Sequence, residues 1–144
     1  MIVKNKLVYI MISILIIIAL SGAASYYVFS QMSTPGKEKE PTIDEVIEYS
    51  VDVPEITTNL ADGGYLKITF KIQTENKKAQ AELAKRDFQI RDLVIGLLAD
   101  MTNKDIAGQE GQNYLKQTLK NHLNELMQEG KVVNIYITNA VSSK

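Results

Sequence analysis

An uncharged and mostly apolar run of residues extends from Leu7 to Phe29 near the N-terminus. As an α-helix it would be roughly 34 Å long, which is enough to cross the hydrocarbon core of a bilayer. Lys4 and Lys6 precede the run, and the residues directly after it carry no charge. The positive-inside rule therefore predicts a cytoplasmic N-terminus at residues 1–6 and a transmembrane helix at residues 7–29.

A cleaved signal peptide is the alternative interpretation of the same run. The small residues Ser21, Gly22 and Ala23 would provide a plausible cleavage site. The apolar run nevertheless continues beyond this point through residues 26–29, which a signal peptide does not need. We therefore favour a helix that stays in the chain as a membrane anchor.

The segment after the run, residues 30–42, is polar and contains Pro35, Gly36 and Pro41. It has too few apolar side chains to offset the entropy lost on ordering. We therefore predict a flexible linker with an r.m.s. span of about 20 Å. The remaining residues, 43–144, are enough for one compact domain, which the predicted topology places outside the cytoplasm.

Two stretches have the alternation of apolar and polar residues that is typical of β-strands. The first contains Tyr49, Val51 and Val53 at alternate positions, and Pro54 indicates an edge strand or a bend. The second, residues 65–74, follows a glycine-rich turn and alternates cleanly. Its apolar positions, which share one face, are Leu66, Ile68, Phe70 and Ile72.

Helical spacing replaces this alternation in the next part of the chain. Asn76 is a suitable N-cap for a first helix, and Asp87 for a second helix that follows a short break. After a connector in which Thr102 and Asp105 have the spacing of a capping box, a third helix is predicted from about residue 112 to 129. Apolar residues form one stripe on each of the two longer helices, namely Ile90, Leu93, Val94, Leu97, Leu98 and Met101, and Leu115, Leu119, Leu123, Leu126 and Met127.

A final strand completes the predicted order β-β-α-α-α-β. Its expected apolar face comprises Val133, Ile135, Ile137 and Val141, with Tyr136 and Thr138 opposite. Separate runs of strands and helices are typical of the α+β class. The fold class predicted is therefore α+β, with one transmembrane helix followed by a small antiparallel or mixed sheet that carries helices on one face.

Composition and charge narrow the possible functions. The 144 residues include no cysteine, and the net charge is −1 without a concentrated basic face, which argues against disulfides, thiolate metal sites and nucleic-acid binding. We also see no phosphate-binding loop and no cluster of metal ligands, so we expect no cofactor and no small-molecule substrate. His122, the only histidine, supports at most a weak alternative as the base of a hydrolase, and we predict a protein that is not an enzyme.

One acidic cluster follows the predicted linker. It consists of Asp44, Glu45 and Glu48. A solvated entry to the domain is the simpler interpretation, and a surface that docks another protein is the more specific one. The residues alone therefore indicate a tethered binding or assembly module.

Several short motifs follow one another at a consistent spacing after the anchor: Ile56–Leu60, Tyr65–Ile68, Ile90–Ile95 with Leu97 and Leu98, Glu110–Gly111 with Leu115 and Leu119, and Gly130–Val133 with Ile135–Thr138. In their order and position these motifs resemble the FliL family of flagellar basal-body-associated proteins. The last residues, 139–144, are more polar than the aromatic and hydrophobic tail that is usual in that family.

The resemblance implies a role at the base of the flagellum, in the cytoplasmic (inner) membrane. Proteins of this family associate with stator subunits of the MotA/MotB type and support torque generation, swimming, swarming and chemotactic motility. Their domain resembles the stomatin-type fold, and self-association into a ring is expected. The alternative is a stomatin-like membrane scaffold that organises another complex and has no flagellar link.

Overall fold

The computed structural model describes residues 2–32 and 39–143. It divides the chain into two compact units, residues 1–40 and 41–144. The first unit contains helix α1 (Ile2–Met32). The elements of the second unit are α2 (Ile43–Glu48), β1 (Ser50–Asn59), β2 (Tyr65–Thr74), α3 (Lys77–Lys85), α4 (Asp87–Ala99), α5 (Asn103–Ala107), α6 (Gln109–Leu126) and β3 (Val132–Ser143).

Helix α1 includes a segment, Lys4–Ser30, that is long and apolar enough to cross a membrane. Its large apolar side chains are exposed from Leu7 to Phe29, which are the two ends predicted for the anchor. The helix continues to Met32, so residues 30–32 of the predicted linker are helical. Residues 33–38 of that linker lie outside the described part of the chain.

The three strands of the second unit form one antiparallel sheet in the order β1-β2-β3. Because β2 is the central strand, its alternation is the clearest in the sequence, and its four predicted core residues are all buried to within 1 % exposure: Leu66, Ile68, Phe70 and Ile72. They belong to the same hydrophobic core as buried residues of helices α3 to α6. The predicted α+β class and the antiparallel sheet with helices are thereby confirmed.

Strand β1 is an edge strand with a β-bulge, as Pro54 indicated. Val53 pairs with Phe70 and Ile56 pairs with Ile68, so β1 has one residue more than β2 over this interval. The extra residue keeps both Val53 and Ile56 on the buried side although they are three positions apart. Pro54, which cannot donate a backbone hydrogen bond, occupies the irregular position.

The predicted apolar face of β3 was partly wrong. Val132 pairs with Thr74 and Asn134 with Gln73, which leaves Val133 as the extra residue of a bulge. Val132 is therefore buried at 1 % exposure, whereas Val133 is 38 % exposed. Ile135 is buried as expected, but Val141 is exposed, because a second bulge at Thr138 reverses the alternation and places Val141 opposite Lys67 on the outward face of β2.

The helices confirm part of the predicted capping. The Asn76 side chain accepts a hydrogen bond from the Ala79 N–H group, and Thr102 forms a reciprocal capping box with Asp105. The predicted capping role of Asp87 is wrong, since Asp87 is already the first residue of α4 and no side chain caps that helix. The connection at Arg86 follows directly on α3, which leaves no extended residue to act as a cap.

Two short helices and both ends of α6 were not predicted. Helices α2 and α5 have six and five residues, too few to show a helical period in the sequence. Helix α6 begins at Gln109, three positions before the predicted start, which the sequence does not indicate because the first turn carries no apolar residue, and it ends at Leu126, three positions before the predicted end. The residues of its stripe that become fully buried are Leu115, Leu119 and Leu123.

Candidate docking surfaces

Helix α2 carries the acidic cluster that the sequence singled out. A capping box starts the helix, in which the Glu45 carboxylate accepts hydrogen bonds from the Thr42 N–H and hydroxyl groups at 2.8 and 3.0 Å. Glu48 forms an ion pair with Lys77 of α3, with 3.3 Å between Oε1 and Nζ. Of the three acids, Asp44 is the one for which the structure shows no role in the fold, and its side chain is exposed.

The same helix exposes two large apolar side chains. Ile43 and Ile47 are 70 % and 56 % exposed, and their four-residue spacing places them on one face of α2. Val46 and Tyr49, on the other side, are partly buried. Sequence reasoning missed this surface because the pattern Ile-Asp-Glu-Val-Ile is too short to show which of its apolar residues face the core.

A second exposed surface covers α3 and the start of α4. Its outward positions on α3 are Lys77, Lys78, Ala81, Ala84 and Lys85, so the charged residues on this face of α3 are all basic. Phe88, at the start of α4, is 70 % exposed. Phe88 and Lys85 line a shallow groove of about 370 Å³ together with Arg86, Gln89 and the turn at Gln128–Glu129.

Glu82 lies beneath this surface and joins α3 to the turn after α6. Its carboxylate accepts hydrogen bonds from the N–H groups of Gln128 and Glu129, at 3.0 and 2.7 Å, and forms an ion pair with Arg86 at 2.6 Å. Desolvation raises the pKa of Glu82, but the hydrogen bonds from Glu129, Arg86 and Gln128 outweigh it and hold the pKa below its ordinary value. The carboxylate is therefore ionised at neutral pH, and it links α3 to the turn at Gln128–Glu129 that lines the groove.

The opposite end of the sheet carries a second groove, next to α5 and the start of α6. Met101, Lys104 and Tyr114 contribute to its lining, and Tyr114 is 60 % exposed. Asp105 is held by Thr102, whose hydroxyl and N–H groups donate to it at 2.7 and 2.8 Å and lower its pKa. This acid is engaged in starting a helix, as Glu45 is in α2.

Asp62 connects the β1–β2 turn to α5. Desolvation raises the pKa of Asp62, but the hydrogen bonds from the backbone and side chain of Asn103, at 3.1 and 3.0 Å, together with those from the backbone of Gly64 and of Asp62 itself, outweigh it and lower the pKa. The hydrogen bond from the Ala61 N–H group to the Met101 carbonyl oxygen, 2.9 Å long, ties the same two segments together. These contacts account for the fixed position of α5.

His122 does not belong to a recognisable catalytic arrangement. It is half-buried on α6, and within residues 2–32 and 39–143 its Nδ1 atom is buried without a hydrogen-bond partner. A general base would need an orienting group and a nucleophile within hydrogen-bond reach. The described residues also include no group of three side chains that could hold a metal ion.

The chain thus combines an apolar helix of membrane-spanning length with a small α+β domain that exposes apolar and charged surfaces. Residues 50–142 match the family model of the flagellar basal body-associated protein FliL. The chain belongs to the FliL family and is a flagellar basal-body protein. The predicted family membership is confirmed.

Two relatives show how far the similarity extends. The flagellar protein FliL of Bacillus subtilis is 44 % identical over 117 residues, which cover 81 % of this chain and 83 % of the relative. The flagellar protein FliL of Aquifex aeolicus is 33 % identical over 98 residues, which cover 66 % of this chain and 60 % of the relative. The first match is longer than the domain of residues 43–144 and so includes part of the preceding segment.

Proposed function

We propose that the protein associates with the stator subunits of the flagellar motor, of the MotA/MotB type, and supports torque generation during swimming, swarming and chemotaxis. The observation that carries the proposal is the family match over residues 50–142, which lies in the compact unit that follows the apolar helix. In this proposal α1 is a retained anchor in the cytoplasmic membrane, a short linker follows it, and residues 43–144 act outside the cytoplasm as one of the stomatin-like domains of a ring.

The proposed mechanism is a shift of a conformational equilibrium in the stator. A bound partner stabilises an open state of the stator only by as much as it binds that state more tightly than the closed one. A short linker raises the local concentration of the domain beside the stator, so that a weak preference becomes effective. The domain itself needs no cofactor and no substrate for this role, and we propose that it is not an enzyme.

The stator role can be tested by deleting residues 43–144 while the anchor is kept. Swimming in viscous medium and swarming should decrease, because stators work under the highest load there, while filaments remain assembled. Re-expression of the full chain is the control, and His122→Ala should restore motility as well as the wild type does. Normal motility of the deletion strain at every load would rule out the proposed role.

Because the chain contains no cysteine, its membrane topology can be tested by labelling single introduced thiols. Asn5→Cys and Ser143→Cys would each introduce a single thiol for labelling with a membrane-impermeant maleimide. In spheroplasts the thiol at position 143 should react and the thiol at position 5 should react only after lysis. A mature protein that lacks position 5 would instead support cleavage near Ser21–Ala23.

Membership of a flagellar family speaks against the alternative scaffold with no flagellar link. The two ideas also differ in what the membrane-bound protein should capture. Affinity purification of the full chain after mild cross-linking should recover stator subunits. Recovery of an unrelated channel or protease complex, without stator subunits, would favour the scaffold.

A further inference from the structure

The outward face of α2 combines apolar and acidic residues. Ile43, Asp44 and Ile47 share this face, and Glu48 lies at its side. Both isoleucines are more than half exposed to water. Covering them with another apolar surface would be favourable, because it removes apolar area from water. The chemistry that fits is a surface with an apolar centre and basic side chains around it.

The surface of α3 and the start of α4 has that composition. Phe88 and Ala81 supply apolar area, and Lys78 and Lys85 lie beside them on the outward side. The acid of this helix, Glu82, is turned inward, with 13 % of its side chain exposed. Asp87 is paired with Arg91 at 3.0 Å, so its charge is compensated.

Within one molecule α2 meets the start of α3 only through the Glu48–Lys77 ion pair, and Ile43, Ile47 and Phe88 all stay more than half exposed. Helix α2 is fixed to its own domain where the Tyr49 carbonyl oxygen accepts hydrogen bonds from the N–H and hydroxyl groups of Thr74, at 2.9 and 2.7 Å. In this position Ile43 and Ile47 point away from the domain. The pair of Glu48 with Lys77 shows that acids of α2 and lysines of α3 form ion pairs in this protein.

We propose that α2 of one copy docks on the α3–α4 surface of the next copy, with Ile47 against Phe88 and Asp44 near Lys85. The inference rests on the proposed self-association and names the two faces that carry it. In the proposed ring each copy offers α2 to one neighbour and its α3–α4 surface to the other, so the contact is heterologous and repeats around the ring. The partner is thus a second copy of the same chain in the same orientation.

Cross-linking in membranes tests the contact directly, because the chain has no cysteine of its own. Full-length Ile47→Cys and Phe88→Cys variants, carrying different tags, are co-expressed and treated with a short bismaleimide. We expect a cross-linked dimer that contains both tags, and no dimer when either variant is expressed alone. The matched control is Ile47→Cys with Tyr114→Cys, an exposed aromatic position at the other end of the domain, which should not cross-link.

An amine-reactive cross-linker is also applied to the wild-type protein in the same membranes. It distinguishes a wrong assignment of the two faces from an absence of self-association. Oligomers with this reagent but no mixed dimer between positions 47 and 88 would overturn the assigned faces and leave the ring standing. Absence of oligomers with either reagent would overturn both. A mixed dimer that forms equally well with the Tyr114→Cys control would also overturn the assignment.

A second pair of variants tests the direction of the contact. Ile47→Asp blocks the α2 face and Phe88→Asp blocks the α3–α4 face, and both positions are exposed, so the fold should be kept. Each variant alone should yield monomers with the amine cross-linker, while co-expression should yield dimers and nothing larger, because one intact junction remains. Larger oligomers in the mixture, or dimers from either variant alone, would contradict a heterologous contact.

Discussion

Glu82 shows how one side chain can support several elements at once. Its carboxylate accepts hydrogen bonds from two backbone N–H groups in the turn that follows α6. The ion pair with Arg86, 2.6 Å long, fixes the same carboxylate from the side of α3. Charge-assisted hydrogen bonds of this kind are shorter and stronger than neutral ones.

Glu82→Gln should lower the free energy of unfolding by about 1–2 kcal/mol at pH 7, since the amide has one acceptor oxygen and no charge. The folded-state pKa of Glu82 is lowered, so its stabilisation is present above the ordinary pKa of about 4.3 and is lost as the pH falls through the folded-state value. The difference between wild type and variant should therefore decrease below about pH 4.3. Denaturant unfolding between pH 3 and 7 measures it.

The control for this prediction is Glu125→Gln, which makes the same chemical change at an exposed position of α6. It should alter the unfolding free energy by less than about 0.5 kcal/mol at every pH. A difference for Glu82→Gln that stays constant from pH 3 to 7 would show that the charge of Glu82 is not what stabilises the turn.

Gly111 and Gly96 form a second matched pair at the scale of single residues. A Cβ atom at Gly111 would collide with the backbone carbonyl of Asp105, whereas one at Gly96 would meet nothing within 4 Å. Gly111→Ala should destabilise the domain by about 1–3 kcal/mol, and Gly96→Ala should stabilise it by about 0.5–1 kcal/mol, because alanine is the better helix former. Thermal unfolding of both variants would contradict this account if the shifts had the same sign.

At the scale of elements, predictability followed the number of residues over which a pattern repeats. Strand β2 alternates over ten residues, and its core face could be predicted without error. Strand β3 has β-bulges, and a single extra residue reverses the alternation after it. Nothing in the sequence Val132-Val133 distinguishes the buried valine from the exposed one, so the register had to come from the pairing with β2.

Helix α2 was unpredictable for a related reason. Six residues give less than two turns, so period and amphipathicity cannot be measured. The acidic residues of the cluster could be selected from the sequence, but nothing in the sequence showed that the isoleucines beside them would be exposed, since isoleucine is most often buried. The acidic part of the candidate docking surface could therefore be predicted from the sequence. Its exposed isoleucines could not, because their exposure depends on how the helix packs in the folded domain.

The bulge in β3 leads to a prediction about its two valines. Val132→Ala should cost about 2 kcal/mol, because the side chain is fully buried and its removal leaves a cavity. Val133→Ala should change the unfolding free energy by less than about 0.5 kcal/mol, since Val133 lies partly in solvent. Denaturant unfolding decides between the registers, and a larger cost at Val133 would restore the face that the sequence first indicated.

For the whole molecule, the sequence predicted the order of anchor, strands, helices and returning strand, together with the family. These features depend on long segments and on the overall distribution of apolar residues. The sequence could not predict the α2 and α3–α4 surfaces, which are far apart in the chain and are related only by charge and exposure. A function that consists of protein contacts is therefore harder to locate than one that depends on a conserved chemistry of side chains.

The composition of the core predicts that residues 41–144 fold without the anchor. Among the residues that the structure describes, those of the hydrophobic core lie between Val53 and Ile135, inside the second unit. A fragment of residues 41–144 should show mixed α and β circular dichroism and a single cooperative unfolding transition. A fragment that begins at residue 50 covers the family match but lacks Tyr49, whose carbonyl oxygen accepts two hydrogen bonds from Thr74.

The shorter fragment should fold as well, but with an unfolding free energy about 1–3 kcal/mol lower, because the Thr74 N–H group loses its partner and the Thr74 hydroxyl keeps only the Asn76 carbonyl oxygen. Thr74→Val in the longer fragment is the control for the hydroxyl part of this loss, since it removes that donor and keeps the shape of the side chain. Equal stability of the two fragments would show that α2 adds nothing to the fold. Helix α2 would then be fixed too weakly to present Ile43 and Ile47 to a neighbouring copy.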